Sequence, residues 1–336
     1  MTMSFPLLKL PLIPLDLIIE QLDFLDLLQL SMKSSKFKRI LQLLKLHVSY
    51  FHLFVTERSY DILLLRNRNS SYIDVCARIP VNTITELANI QGEPVHIWKD
   101  GRDEMKVKSN LSNLASLETI TKYILSISKV ADYALTYDDT KTEIRNLFIW
   151  QITTQLERVN ISPTHGIRVQ ISPEDLTFIL DGISTERLYL NVSCPGFKYQ
   201  GPIRCSVIDI SDSRWIDFDQ FSLGPETITA EFSDQKVSNA NLNRLIKDWT
   251  EGKNPKLREV EFKWKEYDRE SLAMAREHEA RPPKPILPNQ NIKHLKGLCI
   301  NYSISYEFWS YRVFYEVRLS VEKDFCLNGI HLDDRN

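Results

Sequence analysis

The chain has 336 residues, 43% of them hydrophobic and 26% charged, with 42 basic against 44 acidic side chains and a formal charge of −2. That is the composition of an ordinary folded protein, long enough for one large domain or two, with no net field to gather nucleic acid. Five cysteines with no C-x-x-C pair read as reduced intracellular thiols, and neither they nor any H-E-x-x-H offers a metal site.

Leucine crowds the start of the chain, where residues 5–41 read FPLLKLPLIPLDLIIEQLDFLDLLQLSMKSSKFKRIL. A membrane-spanning helix needs about 20 mostly apolar residues. Lys9, Asp16, Glu20, Asp23 and Asp26 interrupt every window of that length, and Pro6, Pro11 and Pro14 disturb it further. A secretion signal would need a basic start and a clean apolar run. The expectation is therefore an intracellular protein, cytoplasmic or nuclear or both, with no membrane contact. Leu15, Ile18, Ile19 and Leu22 form the stripe of an amphipathic helix, with Pro14 in its first turn. A second stripe runs Leu25, Leu28 and Met32 behind a capping Asp23 or Asp26. A third runs Phe37, Ile40, Leu41 and Leu44 behind Ser34 and Ser35. Three short helices bury too little surface to stand alone, so a partner is the expected stabiliser.

These residues resemble an F-box, the module that docks a substrate receptor onto the Skp-type linker of a cullin ubiquitin ligase. The likeness lies in Phe5-Pro6-Leu7-Leu8, Leu10-Pro11, the Leu15/Ile18/Ile19/Leu22 helix and the run LDFLDLLQLSMKSSKFKRIL. Met32 and Lys33 stand where many members carry small residues or cysteine. The resemblance implies that residues 1–45 bind the linker, and through it a cullin. Leu7, Leu10, Pro11, Leu15, Ile18, Leu22, Leu25 and Leu28 are the contacts it implies.

Strands come next. SYFHLFVTERSYDILLLRN and SYIDVCARI are rich in β-branched and aromatic residues, EPVHIWKD and EMKVK flank Gly101 as a hairpin, and a helix begins near Leu111. The tight junction at residues 45–50 predicts that the helices pack on these strands. Further on, ERLYLNV, IRCSVIDI, ETITAEF and LREVEFKW are strand-like runs separated by crossover-length segments. Such alternation suggests parallel βα units. The overall expectation is an α+β or α/β chain, a small three-helix module followed by an irregular leucine-rich-repeat-like βα arc. A closed doubly wound sheet is the alternative. Alternation sets Leu188, Leu190 and Val192 inward. It leaves Arg187, Tyr189 and Asn191 outward, with Thr227, Thr229 and Glu231, and with Glu259, Glu261 and Lys263.

The segment VSNANLNRLIKDWTEGKNPKLREVEF is the most sharply drawn. Ser238 or Asn239 caps a helix whose stripe is Leu242, Leu245, Ile246 and Trp249. Gly252 suits a left-handed helix end, and Asn254-Pro255 stops continuation. The stripe predicts a buried Trp249. The segment resembles the F-box-associated domain of large nematode F-box families in Asn241, Leu242, Asn243, Leu245, Ile246, Lys247, Trp249, Gly252, Asn254, Pro255 and Leu257. The clearest likeness spans residues 237–262, within a substrate-recognition domain expected over 46–336. After Glu261 it fades, and YDRESLAMAREHEA with RPPKPILP reads as an insertion or a divergent end.

Catalytic signatures are missing. Gly196 and Gly201 have P-loop spacing but are followed by Pro202 and Ile203. His165 has no nucleophile elbow beside it. Asp138-Asp139 and Asp209, Asp212, Asp217 and Asp219 read as turn formers and a solvated face, and Phe308, Trp309, Tyr311, Phe314 and Tyr315 as a terminal strand. The reading is a non-enzymatic receptor without cofactor, whose unknown protein target meets Arg187, Tyr189, Asn191, Thr229, Glu259 and Glu261. An F-box interaction protein outside any ligase, or an enzyme whose site has no sequence signature, are the alternatives.

Overall fold

The computed structural model describes residues 11–76, 78–80, 83–101, 103–139, 142–163, 168–235, 237–267, 298–307 and 312–321. Contacts divide the chain into two compact units, residues 1–170 with 182–185, and residues 171–181 with 186–336. The amino-terminal helices thus share a unit with the strands after them, and the contacts do not divide near residue 45.

In the first unit, α1 (Leu12–Gln21), α2 (Phe24–Lys33) and α3 (Ser35–Leu44) precede β1 (Leu46–Thr56), β2 (Tyr60–Arg66) and β3 (Asn69–Val75). Then come β4 (Glu86–Ile90), β5 (Glu93–Lys99), β6 (Glu104–Ser109), α4 (Asn113–Ile127), β7 (Ser128–Asp138) and β8 (Gln155–Ile161). The sheet order is β8-β7-β1-β2-β3-β6-β5-β4. Three pairings are parallel, β8 with β7, β7 with β1 and β3 with β6; the others are antiparallel. The expected hairpin around Gly101 is β5 and β6. One apolar row crosses six strands in register, Val159, Leu135, Leu53, Ile62, Ile73 and Met105, all of them buried. Leu117, Ile120 and Ile124 of α4 are buried too. Period-two alternation on the strands meets period-3.6 spacing on the helix, and each hides the other's apolar side.

The three first helices match their sequence signals. Pro14 lies in the first turn of α1, and Ser34 caps α3 by accepting from Phe37 N at 3.2 Å. Asp23 precedes α2 without a side-chain cap. As expected, the helices pack against the rest of their unit. Ser31 Oγ lies 3.0 Å from the Tyr123 hydroxyl, the Lys38 ammonium sits 4.5 Å over the Tyr123 ring, and Lys45 donates to Ser126 O at 2.9 Å. From the sheet side, Arg66 donates to Leu22 O at 3.0 Å and to Ile19 O at 3.2 Å, the latter shared with Leu22 N, and so holds the carbonyl end of α1.

In the second unit, α5 (Pro173–Gly182) leads to β9 (Ser184–Leu190), β10 (Val207–Ile210), β11 (Thr229–Ser233), α6 (Asn239–Thr250), β12 (Glu259–Tyr267), β13 (Leu298–Glu307) and β14 (Arg312–Val321). The strand order is β9-β10-β11-β12-β14-β13. The first three pairings are parallel and the last two antiparallel. Each parallel strand lies beside the next in sequence, which is the expected mixed α/β rhythm. The crossovers before β10 and β11 contain no α-helix; Pro202–Ile203 and Ser222–Leu223 pair there in parallel. Only the crossover before β12 carries a helix, α6. Strand β11 begins at Thr229, later than alternation suggested. Thr227, expected outward, lies in the preceding turn and is fully buried.

Candidate partner interface

Strand alternation gives the second unit two unlike faces. Leu188, Leu190, Ile208, Ile210, Ala230, Phe232, Val260 and Phe262 are all buried on one of them. Phe218 and Phe221, from the crossover into β11, make edge-on contacts with Phe232 at 5.4 and 5.5 Å. Residues of the other face are half-buried, apart from exposed Arg318, as on an uncovered sheet. Register aligns them into rows. One row runs Arg187, Val207, Thr229, Glu259 and Ser320. The next runs Tyr189, Asp209, Glu231, Glu261 and Arg318.

The structure therefore brings Arg187, Tyr189, Thr229, Glu259 and Glu261 onto one face, as alternation implied. Asn191 comes just after the end of β9 and is half-buried. Asp209, which the sequence marked only as a turn former or part of a solvated face, and Arg318 also lie on this face. Alternation within VIDI marks Asp209 as opposite to Ile208 and Ile210, but only the register puts it beside Tyr189 and Glu231.

The charges are unevenly matched. Lys263 contacts Glu231 and Glu261, both at 2.8 Å, and Arg318 pairs with Glu259. Burial works against the Lys263 ammonium, but its bonds to Glu231 and Glu261 outweigh this and hold its proton more tightly than usual. Burial first, then Glu231, raises the Asp209 carboxyl above the usual range, while Lys263 pulls it back in part.

The helix before β12 explains its own motif. Ser238 accepts from Asn241 N at 3.2 Å, which caps α6. Leu242 is buried, whereas Leu245, Ile246 and Trp249 are half-buried, so Trp249 is not the core tryptophan expected. The stripe lies at the margin of the apolar layer. Arg244 reaches from α6 to the carbonyls of Phe218, Asp219 and Phe221. Gly252 has φ of 79°, the left-handed conformation that glycine adopts without strain. Asn254 is 4% exposed and donates to Leu223 O at 2.9 Å. The Asn-Pro signature is therefore a strut between crossovers, and not a ligand contact.

At the amino terminus, Leu7 and Leu10 lie outside the described residues. Pro11 is exposed, and Ile18 and Leu22 are half-buried. Leu15, Leu25 and Leu28 are at most 2% exposed, so they fix the helices to their own unit. Leu17 at 60% and Leu30 at 44% face outward, and neither belongs to the apolar stripes named from the sequence.

Three further titratable groups are buried against internal partners. His52, buried against Thr136 Oγ1 at 2.9 Å, is lowered to about 4 by burial and then by Arg158. Asp139, 1% exposed, accepts from Tyr60 and Thr142 at 3.1 and 3.0 Å. Asp212, equally buried, holds Arg214 at 2.6 Å. Neither belongs to a solvated face, contrary to expectation. His165, the 268–297 segment, Phe308, Trp309 and Tyr311 fall outside the described residues. Phe314 and Tyr315 lie in the expected terminal strand, β14. Among the described residues, no group of His, Cys, Asp or Glu is placed to hold a metal, and no helix is long and apolar enough to cross a membrane.

Residues 203–262 match a family model described as F-box associated. The match begins before β10, includes α6 with its Asn254 strut, and ends in β12. No curated protein and no solved structure matches the chain.

Proposed function

We propose that the chain is the substrate-recognition subunit of a Skp-cullin-F-box ubiquitin ligase. The observation that carries this reading is the F-box-associated match over residues 203–262, the stretch that builds most of the polar sheet face. The three helices at Leu12–Leu44 support it from the other end of the chain. In this reading their surface binds the Skp-type linker, which in turn holds the cullin. The contacts are Leu7, Leu10, Pro11, Ile18 and Leu22, joined by exposed Leu17 and Leu30. Leu15, Leu25 and Leu28 serve the site by packing the helices in place.

The polar face, with Arg187, Tyr189, Asn191, Thr229, Glu259 and Glu261, captures a protein target. Such a receptor supplies no reacting group. It holds a target lysine near a charged conjugating enzyme, which raises the effective concentration of the two. The test is reconstitution of the full chain with linker, cullin and conjugating enzymes. Ubiquitin transfer to a captured protein is expected, and loss of transfer when Leu10 and Ile18 become alanine. A chain that binds the linker and its target but supports no transfer would be an F-box interaction protein outside any ligase.

A further inference from the structure

We propose that the polar face of the second unit receives a basic, extended segment of its target, anchored by a lysine or arginine seated at Tyr189 and Asp209. This rests on the receptor reading above and names the chemistry of what the face takes.

Three neighbouring strands set Asp209, Glu231 and Glu261 side by side in one row. Strands lie about 4.8 Å apart, so the carboxylates are nearest neighbours, and like charges so placed oppose one another. A face kept merely soluble would alternate its charges. Here the cations on the carboxylate side are already engaged, Lys263 with Glu231 and Glu261, and Arg318 with Glu259. Arg187 lies one row away, in register with Val207. Among the described residues no lysine or arginine forms an ion pair with Asp209. Its carboxyl is half-buried; burial first and then Glu231 raise it, Lys263 offsets this only in part, and Glu261 adds to it, which is an unfavourable place for a charge until a further cation arrives.

The other neighbour of Asp209 in the row is Tyr189. An aromatic ring beside a carboxylate suits one kind of guest. The ring attracts a cation over its face and covers an alkyl stem, and the carboxylate takes the charged hydrogen bond. A ligand rich in carboxylates or phosphates would instead add to the repulsion. Strands β10, β11 and β12 are each paired on both sides within the unit, so the guest lies across their side chains and does not extend the sheet there.

The experiment uses the full chain and short fluorescent peptides carrying lysine or glutamate at alternate positions. The lysine peptide is expected to bind, with an affinity that falls as salt rises, and the glutamate peptide is not. Asp209→Asn should weaken the lysine peptide at least tenfold while raising the melting temperature, because one of three crowded charges is gone. Tyr189→Ala should weaken it without that rise. Equal binding by wild type and Asp209→Asn, preference for glutamate, or a lower melting temperature in Asp209→Asn would overturn the proposal. The linker gives the separating measurement. A wild-type chain that ignores the linker but loses the lysine peptide on Asp209→Asn keeps this site and removes the ligase reading.

Discussion

Asn254 shows how a recognisable sequence signature is spent on architecture. Its buried amide donates to Leu223 O at 2.9 Å and Gly224 O at 3.3 Å, tying the turn after α6 to the preceding crossover. Asn254→Ala leaves buried carbonyls without that donor, an omission worth about 1–3 kcal/mol. A lower urea midpoint with unchanged linker binding is the expected outcome. Asp61 gives a pH dependence. It faces Asp74 directly across β2 and β3, and Asp74 receives the Cys76 thiol at 3.0 Å and faces Lys106. Burial, opposed by a hydrogen bond from Ser59 and aided by Asp74 and Glu104, raises the Asp61 carboxyl to about 6 from 3.8. An acid raised in the folded state binds protons that the unfolded chain has released. Stability therefore falls as pH rises from about 4 to 6 and stays lower above that window. Denaturation at several pH values should show this decline, and Asp61→Asn should flatten it and be the more stable protein near neutrality.

Among the elements, those with local punctuation were legible in the sequence. Ser34, Ser112 and Ser238 each cap a helix, and each accepts a backbone hydrogen bond. Strands β7 and β8 passed unread, because SKVADYALTYD has no clean alternation and gains its place through parallel pairing with the distant β1. Helix α5 had a readable start, Ser172-Pro173 followed by Glu174 and Asp175, a signal the strand rhythm around it obscured. Of the polar face, alternation gave which residues point outward, while register, which no single strand encodes, decided that Tyr189 meets Asp209. Arg66 carries the element-scale prediction. It fastens the end of α1, so Arg66→Met should speed hydrogen exchange across Leu12–Gln21 while the β1–β2 pairing stays protected. Trp249 belongs here too. A fully buried tryptophan truncated to alanine costs about 3–5 kcal/mol, and half-burial should bring Trp249→Ala to about half of that in chemical denaturation.

In the proposed function of the whole molecule, linker binding falls to helices of the first unit and target binding to a sheet face of the second. Because α2 and α3 pack with α4 through Ser31, Lys38 and Tyr123, removing residues 1–45 would strip cover from buried Tyr123 and confuse lost binding with lost folding. Point substitution among the proposed linker contacts avoids that. Burying one leucine contributes about 1.5–3 kcal/mol, so changing Leu10 and Ile18 together to alanine should cost about 3–6 kcal/mol, a hundredfold or more in affinity. The most direct measurement is a calorimetric titration of a purified Skp-type linker into the purified full chain and into that double variant, with melting temperatures recorded for both. Tight binding by the wild type and a hundredfold loss in a variant that still folds are expected; equal affinity in the two proteins would contradict linker binding through these helices.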